Sequence, residues 1–210
     1  MSRRFITFWC TLHFLLNAAA GKPLLGEEIA RPSPDALMDA LMWGHEPIGG
    51  PFELIDHSGA RRTDAAFRGK LTLIYFGYTY CPDICPTDLQ EMVSVLDLLG
   101  ADGAAVQPLF ITIDPERDTP QHLAEYVQLL HPRLIGLTGE VSEIQKVARA
   151  YKAYYAKVIQ PDPSSYLMEH SAFIYLVDAD GRYLGFFPPG TTAERMAAVI
   201  RPHLPPAPQR

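Results

Sequence analysis

Two cysteines stand four positions apart in the segment YCPDICP, directly after an apolar run. Cys81 and Cys85 are each followed by a proline, which lacks a backbone N–H and disfavours helical geometry in the residue before it. We therefore predict a turn across the two cysteines and a helix that begins at Pro86. Such a helix would place Cys85 at its N-terminus, where the dipole and the free N–H groups favour a thiolate.

A pair of thiolates can exchange electrons with other thiols, bind a metal ion or form a structural disulfide. Residues four apart in a turn or helix bring their Cβ atoms to about 5–6 Å, which suits a disulfide after a small adjustment and also suits two sulfurs that share an ion. Thioredoxin-type redox enzymes usually have two residues between their cysteines, and this segment has three. The spacing therefore favours a metal only weakly, and all three roles stay open.

A third donor is expected at His170, in the segment MEHSAFIYLVD. In thioredoxin-like oxidoreductases a cis-proline precedes the corresponding strand and faces the dithiol, whereas the nearest preceding proline here is Pro163. We therefore expect an imidazole to face the two sulfurs. Two thiolates and one imidazole form a soft donor set that suits copper(I) and also accepts copper(II). Zinc in a structural site normally has a fourth protein ligand, and the neighbouring sequence offers none.

Short apolar runs alternate with helical patterns around these residues. Their order predicts strand, strand, helix, strand, helix, strand, helix, hairpin and helix, which is an α/β fold with a mixed sheet flanked by helices. Cys81 follows the buried strand LTLIYFGY, at the carboxyl end where open α/β sheets place their chemistry. A thioredoxin-like fold fits both observations.

Several local features of these elements are predicted as well. Thr119 should cap the helix that follows the third strand, with Pro120 at the first position of that helix. A further helix is expected from about Val141 to Tyr155, followed by a loop over residues 159–168 that is rich in proline and serine. The dipeptide Asp180-Gly181 is a strong hairpin signal between the last two strands.

The N-terminus has the pattern of a secretory signal. Arg3 and Arg4 precede an apolar stretch, residues 5–20, that ends in three alanines. As a helix these sixteen residues would span roughly 24 Å, against a hydrocarbon core of about 30 Å, so a cleaved signal peptide is favoured over a short membrane anchor. Both alternatives place the protein in the periplasm or another extracytoplasmic compartment. The anchored alternative adds membrane association through residues 5–20.

Length and charge limit the remaining possibilities. A chain of 210 residues with 48% hydrophobic content can bury one good core. A formal net charge of −6 provides no basic field for a phosphate backbone, so no nucleic-acid partner is expected. We divide the chain into the signal peptide or short anchor (1–20), a lead-in segment (21–48), one thioredoxin-like domain (49–203) and a disordered tail (204–210).

Three segments together resemble the signature blocks of the Sco (SenC) copper chaperones: FGYTYCPDICP, TIDPERDTP and EHSAFIYLVDADG. The resemblance runs from about Gly49 to His203. It implies a thioredoxin-like, copper-binding domain that is exported or membrane-anchored, with a copper ion held by Cys81, Cys85 and His170. It also implies delivery of copper to the dinuclear copper centre of cytochrome c oxidase subunit II, or to another exported copper acceptor. The protein would then be a metallochaperone rather than an enzyme, and the alternative is a thiol–disulfide oxidoreductase that reduces the cysteines of such an acceptor.

Other polar residues near these blocks are assigned more ordinary roles. Asp114 either lies near the sulfurs or caps the turn that follows it. Arg117 and Asp118 are expected to pair within their loop, and Met168 to pack beside a strand. Five histidines are predicted to be solvated: His45, His57, His122, His131 and His203.

Overall fold

The structure is a computed structural model, and it describes residues 47–82, 84–161 and 166–204. The predictions for the signal or anchor segment, for nearly all of the lead-in segment and for the tail beyond Leu204 lie outside these ranges. No helix within the described ranges has the length and apolar character needed to cross a bilayer.

The strands of the described residues are, in chain order, β1 (Glu53–Asp56), β2 (Arg61–Thr63), β3 (Leu71–Gly77), β4 (Val106–Thr112), β5 (Ile135–Thr138), β6 (Tyr155–Ile159), β7 (Tyr166–His170), β8 (Ile174–Val177) and β9 (Tyr183–Phe187). Seven of them form the central sheet, in the order β2-β1-β5-β4-β3-β8-β9, and β6 and β7 form a sheet of their own. The three central strands β3, β4 and β5 are parallel, and the outer strands pair antiparallel. The predicted mixed sheet is confirmed.

Every residue of β3 and β4 is buried, which agrees with their largely apolar sequences. Their parallel register aligns Gly77 with Thr112, so both strands end at the same edge of the sheet. The segments that follow these two strands therefore meet, and they contain Cys81 and the loop from Ile113 to Thr119.

Four α-helices flank the sheet in the described ranges: α1 (Ile84–Leu99), α2 (Pro120–Leu130), α3 (Val141–Ala150) and α4 (Ala193–Ile200). The predicted cap of α2 is confirmed, because the Thr119 hydroxyl accepts a hydrogen bond from the His122 N–H at 3.2 Å. The hairpin at Asp180-Gly181 is also confirmed, and Gly181 has the positive φ of 79° that favours glycine there.

Two helix boundaries differ from the predictions. Helix α1 begins at Ile84 rather than at Pro86. The difference follows from helix geometry, because the first N–H groups of a helix have no intrahelical acceptor and a proline in the first turn therefore loses no bond. Helix α3 ends at Ala150, five residues before the predicted end, and Lys152 adopts a positive φ of 55° that turns the chain away.

The prediction of a loop over residues 159–168 is also wrong in part. Strand β6 runs to Ile159 and β7 begins at Tyr166, and their antiparallel register pairs Tyr155 with His170. We call this pair of strands the histidine hairpin. The prediction misses it because the prolines and serines between the two strands indicate a loop, whereas cross-strand pairing decides the structure of the flanking residues.

Candidate metal centre

Each of the three predicted donors is positioned by a different backbone element. Cys81 lies in a turn after β3, where its N–H donates to the Tyr78 carbonyl at 3.2 Å. Cys85 lies in the first turn of α1, and His170 is the last residue of the histidine hairpin. The end of β3 and the end of the hairpin thus bring together residues that are far apart in the sequence.

The donor atoms form one compact cluster. Nε2 of His170 lies 3.1 Å from Sγ of Cys85, and the donor atoms of Cys81, Cys85 and His170 all lie within 4.8 Å of one another. Nδ1 of His170 lies 3.3 Å from the Ser171 carbonyl oxygen. A carbonyl can only accept, so this contact is a hydrogen bond when Nδ1 carries a proton, and in that neutral tautomer the lone pair of Nε2 faces the Cys85 sulfur. The expected imidazole opposite the dithiol is present, and its role as a ligand stays a prediction.

The two thiols differ in environment. Cys85 is fully buried and Cys81 is half-buried, and neither is in a disulfide. The pKa of the Cys85 thiol is raised, first by its hydrogen bond with Cys81 and then by burial. The prediction that the helix N-terminus favours a thiolate at Cys85 is therefore wrong for the metal-free protein. A metal ion would have to displace a proton from this sulfur, because cysteine binds metals as the thiolate.

Aromatic rings enclose the imidazole. The edges of Tyr75 and Tyr78 meet the His170 ring with centroids 6.1 and 6.0 Å away, at 89° and 88°. Both tyrosines are buried, and desolvation raises the pKa of each phenol. These rings wall the cluster on its inner side. Tyr80 differs, because half of its surface is exposed and its ring stacks on His122.

Gly77 lies beneath Cys85. A Cβ added at this glycine would lie 3.0 Å from Sγ of Cys85 and 2.8 Å from the Tyr75 ring, closer than side chains tolerate. The absence of a side chain at the end of β3 thus leaves the space that the Cys85 sulfur occupies.

Asp118 has a different partner from the one predicted. Its fully buried carboxylate accepts hydrogen bonds from the Thr79 hydroxyl at 2.5 Å, the Thr79 N–H at 3.1 Å and the Thr112 hydroxyl at 2.6 Å. Burial raises its pKa, and these hydrogen bonds oppose the rise. Asp118 therefore ties the segment before Cys81 to the end of β4. The block TIDPERDTP was the only sequence signal for this residue, because Thr79 lies far from it in the chain.

Asp114 and Arg117 form an ion pair in the same loop. Nε of Arg117 donates to Asp114, and the Tyr166 hydroxyl donates to the other Asp114 oxygen at 2.9 Å. The Asp114 carboxylate thus contacts the histidine hairpin instead of capping the turn that follows it. The sequence does not predict the contacts of Tyr166, because its neighbours indicate a loop.

The other predicted positions have mixed outcomes. His122 is half-buried and its Nε2 lies 2.9 Å from the Thr79 hydroxyl, so it is not simply solvated as predicted. His57 and His131 each accept a hydrogen bond from a backbone N–H, and His203 is exposed. Met168 is buried, as expected for packing. His45 lies outside the described residues.

A family model described as SCO1/SenC matches residues 42–204, which is most of the chain. The chain belongs to the SCO1/SenC family. The recognition made from the three sequence blocks is confirmed, and so is the thioredoxin-like fold that it implied.

Relatives and solved structures agree with this membership. The chain is 44% identical over 160 residues to Protein sco1 of Schizosaccharomyces pombe, covering 75% of this chain and 61% of that protein. It is 41% identical over 165 residues to the mitochondrial SCO1 homolog of Homo sapiens, covering 78% and 55%. The chain thus spans less than two thirds of the length of these relatives. Its fold is similar to that of Bradyrhizobium japonicum ScoI with copper bound, with a TM-score of 0.70, 46% identity and coverage of 75% and 99%.

Proposed function

We propose that this SCO1/SenC protein is a copper metallochaperone that binds one copper ion through Cys81, Cys85 and His170. Copper is its cargo, passed on to the dinuclear copper centre of cytochrome c oxidase subunit II or to another exported copper acceptor. The observation that supports this most directly is the cluster of two sulfurs and one imidazole nitrogen within 4.8 Å of one another. A related ScoI structure contains copper, which is consistent with the same cargo here.

The donor set favours copper over zinc. Thiolate sulfur is a soft ligand, and two thiolates with one imidazole suit copper(I). Within the described residues, no further histidine, cysteine or carboxylate joins the cluster. A structural zinc site normally has four protein ligands, so the three donors fit zinc less well.

The exposure of the three candidate ligands indicates the order in which they would release copper. Cys81 and His170 are half-buried, whereas Cys85 is fully buried behind them. An incoming thiolate of the acceptor would therefore replace Cys81 or His170 first, one ligand at a time, and Cys85 last. Because burial and the Cys81 contact raise the pKa of Cys85, its sulfur would take up a proton on release. Reprotonation of the buried thiol favours transfer over rebinding.

Thiol–disulfide exchange is the second candidate function. The two thiols are in hydrogen-bond contact and are reduced, and a disulfide between them would remove two of the three donors. This chemistry needs no imidazole, whereas the structure places His170 against the dithiol. We therefore rank metallochaperone activity, which is not enzymatic, above oxidoreductase activity.

The compartment is part of the same proposal. The arginine pair and apolar stretch of residues 1–20 favour export, so the domain would act in the periplasm or another extracytoplasmic space. The alternative to cleavage of this segment is anchoring to the inner membrane through residues 5–20. Fusing residues 1–25 to a reporter that is active only after export should give activity. A stable but silent fusion would count against export.

The deciding experiment measures copper binding by the reduced domain and its variants. Cys81→Ser, Cys85→Ser and His170→Ala should each lower copper affinity by at least about 10–100-fold, since even outer-shell changes at metal sites cost that much. His203→Ala is the matched control, because His203 is exposed on the C-terminal 3-10 turn. His170→Ala should also abolish support of cytochrome c oxidase assembly while the cysteines still form a disulfide. Unchanged copper affinity in His170→Ala, together with lost thiol exchange, would favour the oxidoreductase.

A further inference from the structure

The histidine hairpin stands apart from the main sheet. Strands β6 and β7 pair with each other and, among the described strands, with no strand of the seven-stranded sheet. At its base, the Ser171 N–H donates to the Tyr154 carbonyl at 2.9 Å and the Tyr154 N–H donates to the Ser171 hydroxyl at 3.0 Å. A two-stranded hairpin is marginally stable alone, so contacts outside it must fix the orientation of His170.

Arg117 makes the most extensive of these contacts. Its Nη1 donates to the Tyr166 carbonyl at 3.2 Å, and its guanidinium lies 3.7 Å from the centroid of the Tyr166 ring. The same guanidinium lies 4.6 Å from the ring of Tyr80, the residue before Cys81, and 5.7 Å from the ring of Tyr78. Tyr78 in turn contacts the His170 ring. Arg117 therefore lies between the hairpin and the cysteine segment and touches both.

The carboxylate of Asp114 fixes the position of the Arg117 guanidinium. Asp114 is 2% exposed and pairs with Arg117, whose side chain is 24% exposed. The Tyr166 hydroxyl donates to the same carboxylate, so the ion pair and the hairpin share one anchor. Lys157 of β6 also pairs with Glu116 at 2.6 Å, but both side chains are largely exposed and such pairs contribute little. The partly buried Arg117 contacts are therefore better placed to hold the hairpin than the Lys157 pair is.

We propose that Arg117 is a positioning residue for the metal centre, which holds the hairpin bearing His170 against the segment bearing Cys81. This inference deepens the proposed copper site, and its structural part can be tested without metal. An arginine suits the role because its planar fork bonds Asp114 and the Tyr166 carbonyl together while its face covers an aromatic ring. A lysine at this position would keep the charge beside Asp114 but could not make all three contacts at once.

Hydrogen exchange of the metal-free, reduced protein is the first test. In Arg117→Lys the amide protons of β6 and β7 should exchange about 10-fold faster, because the hairpin opens locally when a charge-assisted bond is lost. Amide protons in β3 and β4 should not change. Arg182→Lys is the matched control, since Arg182 is exposed and pairs only with its own turn among the described residues. Unchanged exchange in the hairpin of Arg117→Lys would overturn the proposal, whatever the protein binds.

Copper affinity measured in two backgrounds is the second test. Arg117→Lys should weaken copper binding by about 10-fold when His170 is present. In the His170→Ala background the same substitution should change affinity less than about 2-fold, because its effect acts through the imidazole. Equal losses in both backgrounds would overturn the role through His170. Tyr166→Leu removes the covering ring without breaking the Arg117 ion pair, and should give the same pattern if Arg117→Lys folds poorly.

These tests separate the two proposals. Faster hairpin exchange without any copper binding in the native protein would support the part of the proposal in which Arg117 holds the hairpin against the cysteine segment, and would refute the metallochaperone. Copper binding that depends on His170 but not on Arg117 would support the metallochaperone and refute the positioning role.

Discussion

Nε2 of His170 lies 3.1 Å from Sγ of Cys85, although 85 positions separate the two residues in the chain. The contact depends on two independent placements: the first turn of α1 after β3, and the end of a hairpin that is not part of the main sheet. Changes to either placement, or to the packing beneath the sulfur, should therefore alter the centre without removing a donor.

The two cysteines should differ in reactivity. In the metal-free, reduced protein at pH 7–8, a brief pulse of iodoacetamide should modify Cys81 at least ~10-fold faster than Cys85, since only the thiolate reacts and only Cys81 is partly exposed. The raised pKa of Cys85 keeps its sulfur protonated over this range. Peptide mass spectrometry would locate the label. Denatured protein, in which both cysteines should react, is the control, and equal labelling in the native state would contradict the burial of Cys85.

Adding a methyl group at Gly77 should destabilise the protein by about 1–3 kcal/mol, because overpacking forces neighbouring groups to move. The new Cβ would meet the Cys85 sulfur and the rings of Tyr75 and Phe110 within 3.0 Å. Gly185→Ala is the matched control, since Gly185 is also in a strand and an added Cβ there meets nothing within 4 Å. Urea unfolding of both variants would measure the effect, and similar stabilities would show that the space beneath Cys85 is not tight.

Replacement of Asp118 by alanine should cost roughly 2–4 kcal/mol, because the Thr79 N–H and the hydroxyls of Thr79 and Thr112 would lose their acceptor. Asp118→Asn should cost less, since its amide oxygen can still accept from one hydroxyl. Thermal unfolding monitored by circular dichroism would rank the two. If both variants lost the same stability, the charge rather than the hydrogen bonds would be what matters.

Asp56 should make stability depend on pH in the acid range. Burial raises the pKa of its carboxyl, but hydrogen bonds from Ser58, Arg62 and Ala60 outweigh burial and bring it to about 2. A lowered pKa in the folded state means that the stabilisation is present above the ordinary value of 3.8 and is lost as the pH falls from about 4 towards 2. Asp56→Asn should therefore lose about 1–3 kcal/mol at pH 7 and almost nothing at pH 2.

The control for this acid dependence is Asp97→Asn, which changes an exposed carboxylate on α1. Urea unfolding at pH 7, 4, 3 and 2 should give free energies of unfolding for the native protein and Asp56→Asn that converge as the pH falls. A constant difference between them at every pH would contradict the assignment.

The sequence predicted the parts of this structure that depend on neighbouring residues. The buried strands β3 and β4, the cap at Thr119 and the turn at Gly181 follow from local patterns, and His170 was found because a histidine stands where a proline is expected. The histidine hairpin was missed, since its local composition indicates a loop and only pairing between Tyr155 and His170 makes it a strand.

The electrostatics of the site could not be predicted for a related reason. The helix N-terminus at Cys85 favours a thiolate, but burial of the sulfur arises from contacts made by the folded chain. Likewise, nothing local to Asp118 indicates that Thr79 donates to it. Patterns within a segment indicate which residues can take part in chemistry. Packing between segments determines the protonation and the hydrogen-bond partners of those residues.

The separation of 85 residues between Cys85 and His170 also concerns the unfolded chain. A single ion held at both ends could not keep all of its ligands once the chain unfolds, so it would bind the folded protein far more tightly than the unfolded one. Loading would therefore raise the melting temperature. A metallochaperone that has released its copper would lose this stabilisation, so the emptied protein should be the form most exposed to proteolysis.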